Sequence, residues 1–396
     1  MKKRLLSLVS IMLAALILAL SLTSCSLTEA NANRENTLPN NFRHTSAGKI
    51  SYDAETYNGS GIERALMPIV SITAKESPTS TSSSRGSGVI YQLDKSTGSA
   101  YIITNHHVVY LTDGEICADI NVMLYGLEYE QYKIPASYVG GSMQYDIAVL
   151  KITGSEILSK SSAVEAKFAD SELVSVLDTA VVVGNAQGVG ISATVGSISV
   201  ASEYLRMTTV DSSMRVNYRV IRTDAAINPG NSGGGLFNSE GHIIGIVNAT
   251  SASGDSMGFA IPSNVAVAVA ENIIYFCDGT SLDTVYKCTL GIEVETAEIY
   301  TYYDQSKERI VTEEVVKVKD INSNIDRVND LVHVGDTVVS ITIDGVKTEI
   351  TKKYQIVEAM LNVREDSTVI VEFCRHGGYT FNVGIYVDNS MIYSYK

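Results

Sequence analysis

Between Ala65 and Pro262 the chain is a succession of short apolar runs: ALMPIVSITA, GVIYQL, SAYIIT, DIAVLKI, TAVVVG, SATVGSISV, NYRVIRT, GHIIGIVNA and MGFAIP. Each is rich in Val and Ile and is bounded by Gly, Asn or Asp, the pattern of β-strands separated by turns. Many such strands with no helical period between them predict a barrel or sandwich rather than alternating βα units. The polar run SPTSTSSSRGSG, Ser77 to Gly88, lies between two of these strands and reads as a loop within one domain. The first clear helical pattern is PSNVAVAVAENIIYF, with Ser263 or Asn264 as its N-cap, and it closes the first domain.

A second unit of strands follows the connection CDGTSLDTVYKC. Its pattern is strand, strand, strand, helix, strand, strand. The helix is TKKYQIVEAMLNV, with Thr351 as the candidate N-cap and Tyr354, Val357, Met360 and Leu361 at helical spacing.

The N-terminus breaks this pattern. Lys2, Lys3 and Arg4 precede an apolar run from Leu5 to Leu22, the layout of an export signal. The run ends in Leu22-Thr23-Ser24-Cys25, which resembles the lipobox of bacterial lipoproteins; lipidation of Cys25 would place the chain on the extracytoplasmic side of a membrane. An uncleaved helix is the other reading, and 18 residues is short for a span. From Cys25 to about Gly61 the chain is polar and aperiodic, as a tether is.

Composition narrows the function classes. The 396 residues suffice for two domains with appendages, and 45% hydrophobic content is that of a globular chain. A net charge of −14 argues against a nucleic-acid partner, which needs a basic face. Beyond Cys25, the spacing of Cys117, Cys277, Cys288 and Cys374 fits no zinc site. Cys277 and Cys288 could bridge outside the cytoplasm, although buried free thiols are the simpler reading. No cofactor or metal is expected.

Nucleophilic serine chemistry needs a base, a carboxylate to orient it and donors for the oxyanion. Of the six histidines, only His106 and His107 follow an apolar strand, in YIITNHHVV. Asp146 heads the strand DIAVLKI, an unusual place for a charge without a partner. Ser232 lies in AAINPGNSGGGLFN, a turn-rich stretch that alone is equally an ordinary bend.

Together TNHHVV, DIAVLKI and TDAAINPGNSGGGL resemble the HtrA/Deg serine proteases, and the likeness extends through GSGVI, VVVGNAQG, GHIIGIVNA and MGFAIPSN. The resemblance implies a mainly β fold, a trypsin-like double six-stranded β-barrel followed by a PDZ-like α/β domain. It assigns His107 as general base, Asp146 as its orienting carboxylate and Ser232 as nucleophile, with the backbone N–H groups of Gly230 and Ser232 as oxyanion hole. His106 falls on a variable position and receives no role. Gly235 stands where many members have Ala, and EYLRMTTVDSSM corresponds to a regulatory loop region. TLGIEVE resembles a PDZ carboxylate-binding loop and first groove strand, so that amides around Leu290, Gly291 and Ile292 would hold a peptide C-terminus.

The organisation that results is a lipoprotein signal peptide at 1–25, a tether at 26–61, the protease domain at 62–276, a linker at 277–287 and the PDZ-like domain at 288–390. The resemblance further implies degradation of misfolded or mislocalised proteins, cleavage after small or medium apolar residues, and a homotrimer. A chaperone-like or peptide-binding protein with a silent protease site is the alternative. Phosphate binding by GNAQGVG or NPGNSGGG fails, because neither has the P-loop Lys and Ser/Thr.

Overall fold

The computed structural model describes residues 64–110, 115–209, 212–250, 257–276, 284–307, 309–322 and 331–395. The apolar N-terminal run, Cys25, the tether and Cys277 lie outside them. Among the described residues no helix is long and apolar enough to cross a membrane.

Strands β1 (Ile69–Lys75), β2 (Ser84–Asp94), β3 (Ser99–Thr104), β4 (Asp119–Leu124), β5 (Ile134–Ser142) and β6 (Ile147–Ile152) close a barrel in the order β1-β2-β3-β6-β5-β4. A one-turn helix α1 (His106–Val109) follows β3, and α2 (Glu156–Lys160) follows β6. Strands β7 (Thr179–Gly184), β8 (Ser192–Thr208), β9 (Arg215–Thr223), β10 (Gly235–Phe237), β11 (Ile243–Thr250) and β12 (Gly258–Pro262) close a second barrel in the order β10-β11-β12-β9-β8-β7. This is the trypsin-like pair of six-stranded barrels that the resemblance implied.

The barrels explain why runs such as DIAVLKI lack polar alternation. On β6, Ala148 and Leu150 fill the first barrel, while Ile147 and Val149 point into a separate core between the barrels. In that second core they meet Val181 and Val183 of β7 and helix α3 (Ser263–Phe276). With side chains alternating every residue and both faces buried from Ile147 to Leu150, each of those positions must be apolar, and only Lys151 reaches solvent.

Local differences from the sequence reading have physical causes. Strand β2 begins at Ser84, inside the polar run, because Ser84 to Gly88 pair with β1. Ser263 and Asn264 do not cap α3 with their side chains: Ser263 Oγ donates to the Ala169 carbonyl at 2.6 Å, and Asn264 Nδ2 donates to Asp170 Oδ1 at 2.7 Å.

Beyond the barrels come β13 (Val285–Cys288), β14 (Ile292–Asp304), β15 (Arg309–Ile321), β16 (Thr337–Ile343), β17 (Val346–Glu349), helix α4 (Lys353–Ala359), β18 (Thr368–Arg375), β19 (Tyr379–Tyr386) and β20 (Ile392–Tyr395). Strands β14, β15, β16, β18 and β19 form a sheet in that order, with β17 paired to β16 and β14 at the edge. Helix α4 has Lys352, not Thr351, at its N-cap, and Gln355 Oε1 accepts from the amides of both at 2.8 and 2.9 Å. It buries Ile356 and Ala359, whereas Val357 is exposed.

Two connections were not anticipated. Strand β13, within the span expected to be linker, pairs with the C-terminal strand β20. Arg219 of β9 makes a bidentate pair with Glu358 of α4 at 2.6 and 2.7 Å and also meets Glu172 at 3.0 Å. Its guanidinium stacks 4.1 Å from the centroid of the Tyr354 ring, and Tyr354 donates to Glu172 at 2.9 Å. Cys117 and Cys288 are buried, and Cys374 is a partly exposed free thiol.

Candidate active site

Three separated stretches of sequence meet at the junction of the barrels. His107 projects from α1, directly after β3; Asp146 precedes β6; Ser232 lies in the turn between β9 and β10. His107 and Asp146 are joined twice: the His107 backbone N–H donates to Asp146 Oδ1 at 2.9 Å, and His107 Nδ1 lies 2.7 Å from Asp146 Oδ2. The backbone of Asp146 sits at φ 49, a left-handed conformation that Asp tolerates better than most residues. Asn105 Nδ2, donating to the Asp146 carbonyl at 2.9 Å, fastens that turn to the start of α1.

Asp146 is buried and His107 is 34% exposed toward a cleft of about 400 Å³ that Ser232 also lines. Burial disfavours the charged imidazole, but the carboxylate beside it overrides this and holds the His107 pKa above its ordinary value. His106, by contrast, is buried between Tyr110 and Tyr138, with ring centroids 4.5 and 6.4 Å away. The arrangement therefore sets the His107 ring against Asp146 and packs the His106 ring among tyrosines.

Asn248 was not singled out from the sequence, yet it touches two of the three groups. Its side-chain amide donates to Asp146 Oδ2 at 2.7 Å, and its carbonyl accepts from Ser232 Oγ at 2.9 Å. A clue existed in GHIIGIVNA, where a polar residue ends an apolar strand, the same anomaly that marked Asp146.

The turn carrying Ser232 is shaped by close contacts. Gly230 has φ +98, and a Cβ there would lie 2.3 Å from the Asn185 carbonyl oxygen, so only glycine fits. Ser87, fully buried on β2, grips the turn twice: its N–H donates to the Ser232 carbonyl at 2.8 Å and its Oγ to the Gly230 carbonyl at 2.7 Å. The Pro229 carbonyl accepts from the Gln187 N–H at 2.7 Å. No peptide is cis among the described residues, so the Gly230 N–H, opposite that carbonyl, is turned away from Gln187. Among the described residues neither the Gly230 nor the Ser232 N–H has a hydrogen-bond partner. Two unpaired backbone donors on one tight turn can receive an oxyanion.

The Gly235 position is less neutral than a small-for-small exchange suggests, since a Cβ there would meet the buried Phe237 ring at 2.4 Å. The cleft walls are apolar, with Met143, Met207, Tyr218 and Ile227 prominent.

The second predicted site is assembled differently. Leu290 is buried in the C-terminal core, Gly291 has φ 75, and Ile292 opens the edge strand β14. Gly291 and Ile292 line a depression of about 470 Å³. Glu293 and Asp320 also line it, and Glu293 pairs with Lys319 at 2.5 Å.

Comparison with known proteins places the chain in a family. The family model for the trypsin-like peptidase domain matches residues 86–246. A Do-like HtrA serine protease of Lactococcus lactis subsp. lactis (strain IL1403) is 32% identical over 307 residues, covering 74% of this chain and 68% of its own length. The chain belongs to the HtrA family of serine proteases. Its enzyme class is therefore that of a serine endopeptidase. Another HtrA relative, the periplasmic pH-dependent serine endoprotease DegQ of Escherichia coli (strain K12), is 38% identical over 194 residues, 48% of this chain and 37% of DegQ. The chain thus spans well under half of that relative. Among solved structures, the HtrA-type protease AlgW with a tripeptide superposes with a TM-score of 0.52 at 27% identity, over 83% of this chain and 96% of AlgW.

Proposed function

We propose that Ser232, His107 and Asp146 are the catalytic triad of this HtrA-family endopeptidase, and that the N–H groups of Gly230 and Ser232 form its oxyanion hole. The observation that carries the reading is the paired hydrogen bonding of His107 to a buried Asp146, at the mouth of a cleft that Ser232 shares. Asp146 accepts from Nδ1–H, which leaves Nε2 as the basic nitrogen.

For reaction, the Ser232 hydroxyl turns from the Asn248 carbonyl toward His107. His107 takes the hydroxyl proton as Oγ attacks the scissile carbonyl, and the resulting oxyanion accepts from the two free amides. The imidazolium, stabilised by Asp146, returns the proton to the leaving amine and an acyl-serine remains. Water then attacks the ester, His107 accepts its proton, and Ser232 is released protonated with a carboxylate product.

The substrates we infer are misfolded or mislocalised proteins reached after export, with small or medium apolar residues at the cleaved position; the apolar cleft around Ile227 supports the latter. Export and lipid anchoring at Cys25 rest on the N-terminal pattern, and a homotrimer on the family resemblance. The free edge of β14 supports capture of a peptide C-terminus by strand addition beside Gly291 and Ile292. With Glu293 and Asp320 at that position, the complex should be weak and strengthened by salt.

Fluorophosphonate labelling tests the triad. Labelling of the wild type but not of Ser232→Ala, together with casein cleavage, supports it. An unlabelled wild type that still binds unfolded protein would instead support the chaperone-like reading. Mass spectrometry of the N-terminus should find a diacylglyceryl group on Cys25, and a free Met1 would reject the anchor.

A further inference from the structure

The segment that presents Asp146 is held by side chains from two directions. On one side Tyr218 of β9 donates to the Met143 carbonyl at 2.9 Å. On the other, Lys287 Nζ donates to the Tyr145 hydroxyl at 3.1 Å. Lys287 belongs to β13, outside both barrels, so the residue next to Asp146 is tied to the connection into the C-terminal sheet.

Lys287 is an unusual residue for that place. It is 6% exposed, and among the described residues no carboxylate pairs with it. Its ammonium instead lies 5.3 Å from the Tyr145 ring centroid and 4.3 Å from that of Tyr395. Tyr395 comes from β20, which pairs with β13 in register from Val285↔Tyr395 to Cys288↔Ile392. Burial pulls the lysine down to about 8. A methionine would fill the same space with no desolvation cost, so the hydrogen bond to Tyr145 and the contact of the ammonium with the Tyr395 ring are what a lysine adds. Asp146 itself is in a left-handed conformation that the surrounding contacts have to maintain.

We propose that Lys287 is a positioning residue for peptide-bond hydrolysis: through the Tyr145 hydroxyl it fixes the segment bearing Asp146, and Tyr395 of the C-terminal strand keeps it there by covering its ammonium. The inference rests on the triad mechanism above. Its consequence is that the last strand of the chain contributes to active-site geometry without reaching the cleft.

The test uses the full-length chain and a fluorogenic peptide substrate. Y145F removes one oxygen and leaves the ring; K287M removes the cation. Each should lower kcat about tenfold with KM unchanged, the scale expected when a catalytic group is displaced by a fraction of an ångström. The double variant should lose no more than either alone, because the two act through one bond. K287R should recover most of the loss, Y395F should equal wild type, and Y395A should resemble K287M. If K287M fails to fold, Y145F decides. A Y145F variant with wild-type kcat, or losses that multiply in the double variant, overturns the inference. So does a fall in Tm with kcat intact. A wild type that fluorophosphonate does not label would overturn the triad mechanism itself, and the inference with it.

Discussion

The Ser232 hydroxyl donates to the carbonyl of Asn248, 2.9 Å away, while the side chain of the same asparagine donates to Asp146. One residue thus restrains both Ser232 and Asp146, at opposite ends of the proposed triad. Replacing it by alanine deletes only the second contact, because the first uses the backbone. Asn248→Ala should lower kcat about 10- to 100-fold, the worth of a hydrogen bond to a charged group. Fluorophosphonate should still label Ser232, only more slowly; unchanged labelling kinetics would contradict this role.

On the proposed mechanism the raised pKa of His107 sets the acid limb of the activity profile. The base works only when neutral, so kcat/KM should fall as pH drops through that value. The midpoint should lie above about 6.5, the ordinary value for histidine. A rate profile in buffers of constant ionic strength gives the midpoint directly.

Gly230→Ala probes the turn. The left-handed backbone and the 2.3 Å approach of a Cβ to the Asn185 carbonyl oxygen force the Pro229–Gly230 peptide to move. Loss of the proposed oxyanion donor should cost about 100- to 1,000-fold in kcat, with a smaller change in KM. Circular dichroism should show the barrels intact.

The contact between β9 and α4 is electrostatic and buried. Arg219 serves two carboxylates, Glu172 and Glu358, which keep it fully charged. Burial, against the attraction of Arg219 and aided by Glu172, pushes Glu358 up to about 7 from 4.5. Arg219→Ala strands both carboxylates and should cost about 3–5 kcal/mol.

The same cluster makes a pH prediction. A carboxyl whose pKa is raised on folding holds more protons folded than unfolded, so its contribution is full below 4.5 and is lost as pH rises toward about 7. Denaturant unfolding across that window should show a slope that Glu358→Gln flattens.

The barrels and the position of Asp146 were legible because each leaves a local mark, whereas Ser232 was singled out by the family resemblance and not by its own turn-rich stretch. Strands buried on both faces give unbroken Val and Ile runs, and Asp146 stood out against such a run. Ser87 and Gln187 left none, since their roles depend on backbone groups of a turn far away in sequence. The β13–β20 pairing was hidden for a related reason. Four residues on each side, separated by an entire sheet, carry no pattern that distinguishes a strand from a linker. Val357, at helical spacing with Tyr354 and Met360, is exposed, because α4 turns Ile356 and Ala359 toward the core of the C-terminal sheet instead.

Tyr218 and Arg219 are neighbours on β9, and a strand sends adjacent side chains to opposite faces. One therefore reaches the segment before Asp146 while the other reaches α4. A one-residue slip within β9 would turn each toward the opposite face, so that the Met143 carbonyl loses the phenol and α4 loses the guanidinium. Relatives of this chain can thus vary the β8–β9 hairpin in length only toward its tip, near residues 209–214, and indels nearer the barrel are the ones that natural variation should lack.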